Sequence, residues 1–79
     1  MLIREYHIVY PEGETQEIHH ELRVNDVVDA NGQPYRLPLP TNKLLAYQVY
    51  RKRVSESRGM IVTWFYLAQL SAEELLEYV

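Results

Sequence analysis

Three side chains able to ligate a metal alternate along one short stretch of the chain: Glu17, His19 and Glu21. Imidazole and carboxylate together suit divalent zinc or nickel. In an extended segment all three would point the same way. Alternate side chains on a strand stand about 7 Å apart, too wide to share one ion without ligands from elsewhere. An exposed polar strand face is therefore the simpler reading, and neither a metal nor any other cofactor is expected. His20, on the opposite side with Ile18 and Leu22, reads as a packing histidine.

A second constellation joins aromatic and basic residues. Tyr50, Trp64 and Tyr66 fall in two apolar runs, and Arg51, Lys52, Arg53 and Arg58 lie in the first run and the turn that follows it. Rings beside cations are what single-stranded nucleic-acid platforms use, because bases stack and phosphates pair. Rings that merely pack, with solvated cations at a hairpin tip, are the commoner arrangement. A third use is a contact surface for protein, with Tyr50, Trp64 and Tyr66 as its centre.

Nucleophilic or acid–base catalysis finds little support. Asp26 and Asp29 flank a turn, as do Ser55 and Ser57, but no spacing places a nucleophile within reach of a base. The glycines stand singly at 13, 32 and 59, so no phosphate-cradling loop exists. The expectation is a non-enzymatic protein.

The elements that must carry these residues fit into one domain spanning 1–79. A chain of this length buries only about 60% of the surface its unfolded form exposes. Without cysteine it has no disulfide to compensate, which leaves tight packing or self-association. Net charge is −3, unevenly spread: residues 43–58 hold five of the eight basic groups and one acidic group. The overall acidity disfavours nucleic acid as a partner. The start of the chain has no apolar leader-like run, and the longest apolar stretch, 60–68, is too short to span a bilayer as a helix. No membrane partner is expected. A cysteine-free chain agrees with the reducing cytoplasm, where the protein is expected to reside.

Residues 2–10 and 15–23 read as strands separated by a Pro11–Glu14 turn. Asn31-Gly32, between two short extended runs, predicts a type I′ hairpin. Leu37-Pro38-Leu39-Pro40 is an extended connector. Residues 60–67 are strongly β by composition, and the Tyr/Val-rich run before them is the nearest partner. This predicts a long hairpin with Val54 opposite Met60 and Tyr50 opposite Trp64. A helix over 43–57, capped by Asn42, is the alternative and would give a β-α-β arrangement plus the C-terminal helix. Ser71-Ala72-Glu73-Glu74 is a capping box, with Leu70 and Leu75 as its hydrophobic staple.

The fold expected is mainly β with one short C-terminal helix, an α+β domain. Five or six strands would form a meander or a small, partly open, SH3-like barrel. The expected core is Ile3, Ile8, Leu22, Val27, Leu45, Val49, Ile61, Phe65, Leu67, Leu75 and Leu76. The function expected is that of a protein-interaction module that forms homo-oligomers or meets a protein partner. Weak single-stranded nucleic-acid binding is the alternative, and a metal-dependent activity at Glu17, His19 and Glu21 comes last.

Overall fold

Five strands build one sheet, and its ends explain its shape. They are β1 (Ile3–Val9), β2 (Thr15–Ile18), β3 (Val27–Val28), β4 (Tyr47–Ser57) and β5 (Met60–Gln69). The computed structural model describes residues 1–79 and orders the strands β2-β1-β5-β4-β3. All neighbours are antiparallel except β1 and β5, which run parallel. A meander alone would leave the first and last strands apart. Here they pair, and the sheet curls into a half-barrel closed at one end by a short helix.

Alternation fills the inner face. Ile8, Ile18, Leu22, Val28, Tyr47, Val49, Phe65 and Leu67 form the main core. Ile8 lies beside Phe65 across the parallel pair, and Tyr6 stacks on Phe65 with centroids 6.2 Å apart. A second cluster joins Val27, Leu39, Ala46, Leu70 and Leu75 beneath the helix. Four residues expected in the core, Ile3, Leu45, Ile61 and Leu76, lie outside it. Ile3, Leu45 and Leu76 are about half exposed, because β1 begins beyond the packed region and both other positions flank the ends of elements. Ile61 is half-buried.

The segment from 47 to 57 is strand, not helix. Its β-branched and aromatic residues alternate, and β5 supplies the ladder such a run needs. The register differs from the expected one. The loop is only Arg58-Gly59, with Gly59 at φ 76°, so Ser57 rather than Val54 opposes Met60. Val54 faces Thr63, and Trp64 faces Arg53 instead of Tyr50. A bulge at Tyr50, between Val49 and Arg51, shifts the remaining pairs by one.

The second strand stops at Ile18, so His19 and Glu21 fall outside it. The Asn31-Gly32 turn forms, but only Gly32 is left-handed, at φ 82°. The Asp29 carboxylate shapes it by accepting from the N–H groups of Asn31 (2.8 Å) and Gln33 (2.9 Å). That side-chain bond replaces the type I′ geometry expected from the dipeptide.

The C-terminal element forms as the capping box requires. Helix α1 (Ala72–Leu75) continues as a 3-10 turn over Leu76–Tyr78. Glu74 N–H donates to the Ser71 hydroxyl at 3.1 Å, and Ser71 N–H donates to the Glu74 carboxylate at 2.9 Å. Leu39 N–H donates to the Tyr78 carbonyl (2.6 Å), which ties the proline-rich connector to the chain end.

Candidate contact surface on the outer sheet face

Because side chains alternate, burying Phe65 and Leu67 turns Trp64 and Tyr66 to the outer face. The bulge does the same for β4. Val49 points inward, Tyr50 and Arg51 outward, and Arg53 follows on the same side. Five of the expected site residues, Tyr50, Arg51, Arg53, Trp64 and Tyr66, thus lie in one stripe. The Arg51 guanidinium sits 5.0 Å from the Tyr66 ring centroid and that of Arg53 4.6 Å from Trp64. Tyr50 leans on Tyr66 with centroids 6.4 Å apart and is 58% exposed.

The parallel neighbour completes the stripe. His7 stacks on Trp64 at 6.2 Å from the β1 side, and its Nε2 is 3.1 Å from a Glu5 carboxylate oxygen. Trp64 therefore lies between a guanidinium and an imidazole, half-buried by them. No local sequence signal places His7 beside Trp64, because the two meet through a pairing of the first strand with the last. The helix does not cover this face. Its buried residue, Leu75, packs with Val27, Leu39, Ala46 and Leu70.

Lys52 and Arg58 do not belong to the stripe. Lys52 opposes Phe65 on the inner face, and Arg58 sits in the hairpin loop. Beyond the packed core, the inner face opens into a cleft of about 190 Å³ whose lining includes Arg4, Tyr6, Glu21, Lys52, Val54 and Glu56. Basic and acidic groups share that cleft, so it presents no single sign of charge.

The three candidate metal ligands separate. Glu17 and His19 border a shallow hollow beside Asn31 and Gln33, while Glu21 lines the inner cleft. No group of three His, Asp or Glu side chains converges to hold an ion. His20 is half-buried, as expected, and its Nε2 lies 2.7 Å from the Gly32 carbonyl, locking β2's end onto the turn.

Tyrosine hydroxyls fix the loops around the core. Tyr10 donates to the Ala30 carbonyl at 2.5 Å, and Tyr35 to that of Leu45 at 2.6 Å. Burial, then the neighbouring Tyr47, Asp29 and Glu14, pushes the Tyr10 phenol above its ordinary pKa. Burial and Asp29 do the same to Tyr35. Neither is placed as a catalytic acid, since each hydroxyl is engaged by a carbonyl.

No helix is long and apolar enough to cross a membrane. A family model described as "Uncharacterised Treponema protein" matches residues 2–78. No curated protein and no solved structure matches the chain.

Proposed function

We propose that this chain, which belongs to the uncharacterised Treponema protein family, is a non-catalytic protein-interaction module that self-associates. The observation that carries the reading is the stripe of Tyr50, Trp64 and Tyr66 on a sheet face that no element of the chain covers. Aromatic residues flanked by arginine are the groups enriched at protein contacts. A domain with so small a core gains stability by burying such a face against another molecule.

The test is mass in solution, by light scattering behind size exclusion over a wide concentration range. A species heavier than the 9.4 kDa chain that grows with concentration supports self-association. A monomer at every concentration removes it. Trp64 is the only tryptophan, so acrylamide quenching reports on the stripe without interference.

One observation favours a second reading, weak single-stranded nucleic-acid binding. Arg51 and Arg53 already lie over Tyr66 and Trp64, which places cations and stacking rings together. A labelled oligonucleotide at low salt tests it. Phosphate-driven binding weakens steeply as salt rises, and no binding at low salt disposes of the reading.

A further inference from the structure

The outer edge of β4 has no neighbour along most of its length. β3 pairs only with Tyr47 and Gln48. Val49 reaches the loop before it, donating to the Asp26 carbonyl at 3.0 Å and accepting from Asn25 N–H at 2.7 Å. From Tyr50 to Ser57 no strand lies on that side. Val49 turns its N–H and C=O away from β5. The bulge at Tyr50 shifts the alternation by one. Arg51, Arg53 and Ser55 therefore bond β5, and Lys52, Val54 and Glu56 direct their N–H and C=O groups outward. The other side of β5 keeps the same phase, since the Gly59 carbonyl accepts from Ile3 N–H at 2.8 Å.

We propose that a second copy of this chain pairs antiparallel along this edge, about a two-fold axis through Val54. In that register Val54 meets the partner's Val54, and Lys52 meets the partner's Glu56 on the inner face. Each of the three outward positions finds a position that also directs its groups outward, so both N–H···O bonds of each pair can form. Val54, now 50% exposed, is covered by its own copy. Moving the axis to Lys52 would set lysine against lysine, and moving it to Glu56 would set glutamate against glutamate. On the outer face, Arg51 opposes the partner's Ser57 and Arg53 the partner's Ser55. Both arginines lean over Tyr66 and Trp64, away from the seam. Exposed edges invite such addition unless charge blocks it. Here the lysine that would block it faces a carboxylate. Two half-barrels then share one sheet, with both aromatic stripes on the same side.

This inference rests on the self-association proposed above but places the contact at the β4 edge, which leaves the aromatic stripe free for a further partner. The test is the dimer dissociation constant, by sedimentation of the full chain, for the native protein and six variants: Val54→Pro, Lys52→Glu, Glu56→Lys, the double exchange Lys52→Glu/Glu56→Lys, Tyr50→Ser and Tyr66→Ser. Val54→Pro removes an N–H that β5 does not use, so the fold should survive, as circular dichroism would show, while dimerisation is lost. Each single reversal should weaken the dimer about tenfold or more, and the double exchange should restore it. A native dimer that Val54→Pro leaves intact, and that Tyr50→Ser and Tyr66→Ser break, would overturn edge pairing while the self-association reading stands. A native chain monomeric throughout would overturn both.

Discussion

Arg53 holds its guanidinium carbon 4.6 Å from the centre of the Trp64 ring, across the β4–β5 pair. His7 faces the same ring from β1 at 6.2 Å. The tryptophan is thus covered by polar neighbours rather than by the core. A cation over a ring at an exposed site contributes about 0.5–1 kcal/mol.

Replacing Arg53 by glutamine should therefore lower stability by about 0.5–1 kcal/mol and uncover the indole. Trp64 emission should shift to the red and acrylamide quenching should increase. Lys52→Gln, on the opposite face, is the control and should leave the emission unchanged. Equal quenching in both variants would mean that Arg53 does not shield the ring in solution.

Phe65 is fully buried between Ile8 and the inner residues of β4. Phe65→Ala should cost about 3–5 kcal/mol. Small domains hold only about 5–15 kcal/mol in total, so the variant should be largely unfolded at modest urea. Trp64→Phe, a change on the outer face, should shift the urea midpoint far less.

The hairpin and the capping box were legible because their signals are local. A β-branched run needs an adjacent strand, and Ser71 and Glu74 close reciprocal bonds within one turn. The register was not legible, since it depends on how few residues the loop uses, and Arg58-Gly59 suffices. Nor was the bulge, which exchanges the faces and so sends Lys52 inward and Arg51 and Arg53 outward. Glu17, His19 and Glu21 form one row only on a strand that continues past Ile18, where β2 ends. The neighbourhood of His7 and Trp64 joins the first strand to the last, and no local pattern encodes a pairing across that separation.

Alkaline pH should weaken the fold through Tyr10. Its phenol donates to the Ala30 carbonyl, and burial raises its pKa above the ordinary 10.0. The folded state thus keeps a proton that the unfolded chain releases. Stability is full below about pH 10 and falls as pH climbs from there towards the raised value. Tyr10→Phe should lose about 1 kcal/mol at neutral pH with the hydrogen bond and show a shallower alkaline decline, the remainder coming from Tyr35. Melting temperatures measured from neutral to alkaline pH would show the two slopes.

Two left-handed glycines should respond unequally to alanine. A Cβ at Gly32 would meet Ile18 Cγ2 at 3.2 Å and Ile8 Cδ1 at 3.3 Å, besides the strain of φ 82°. At Gly13, with φ 96°, nothing lies within 4 Å. Left-handed backbone alone costs a residue with a side chain about 1–2 kcal/mol. Gly13→Ala should fall in that range. Gly32→Ala should exceed it, because two core side chains must also give way. Urea midpoints compared at equal slope decide the order.

The acid limb should report on the helix cap. The Ser71 backbone N–H, and then its hydroxyl, hold the Glu74 carboxyl below its ordinary pKa of 4.5. A carboxylate favoured by the fold stabilises it fully above the unfolded value and loses that contribution as pH falls through the lowered one. The window therefore lies below pH 4.5, on the acid side of the carboxylate range. Glu74→Gln keeps an acceptor for Ser71 N–H but no longer titrates, so its stability curve should be flatter through that window. Ser71→Ala removes the hydroxyl that accepts from Glu74 N–H and should cost about 0.5–1 kcal/mol at neutral pH. Leu75, fully buried beside Leu70, Ala46, Val27 and Leu39, couples the cap to the second core cluster. Loss of the cap should then appear in global unfolding as well as in fraying of the last residues. A Ser71→Ala protein whose melting temperature matched the native one, while the C-terminal amides exchanged faster, would show that the helix opens independently of the sheet.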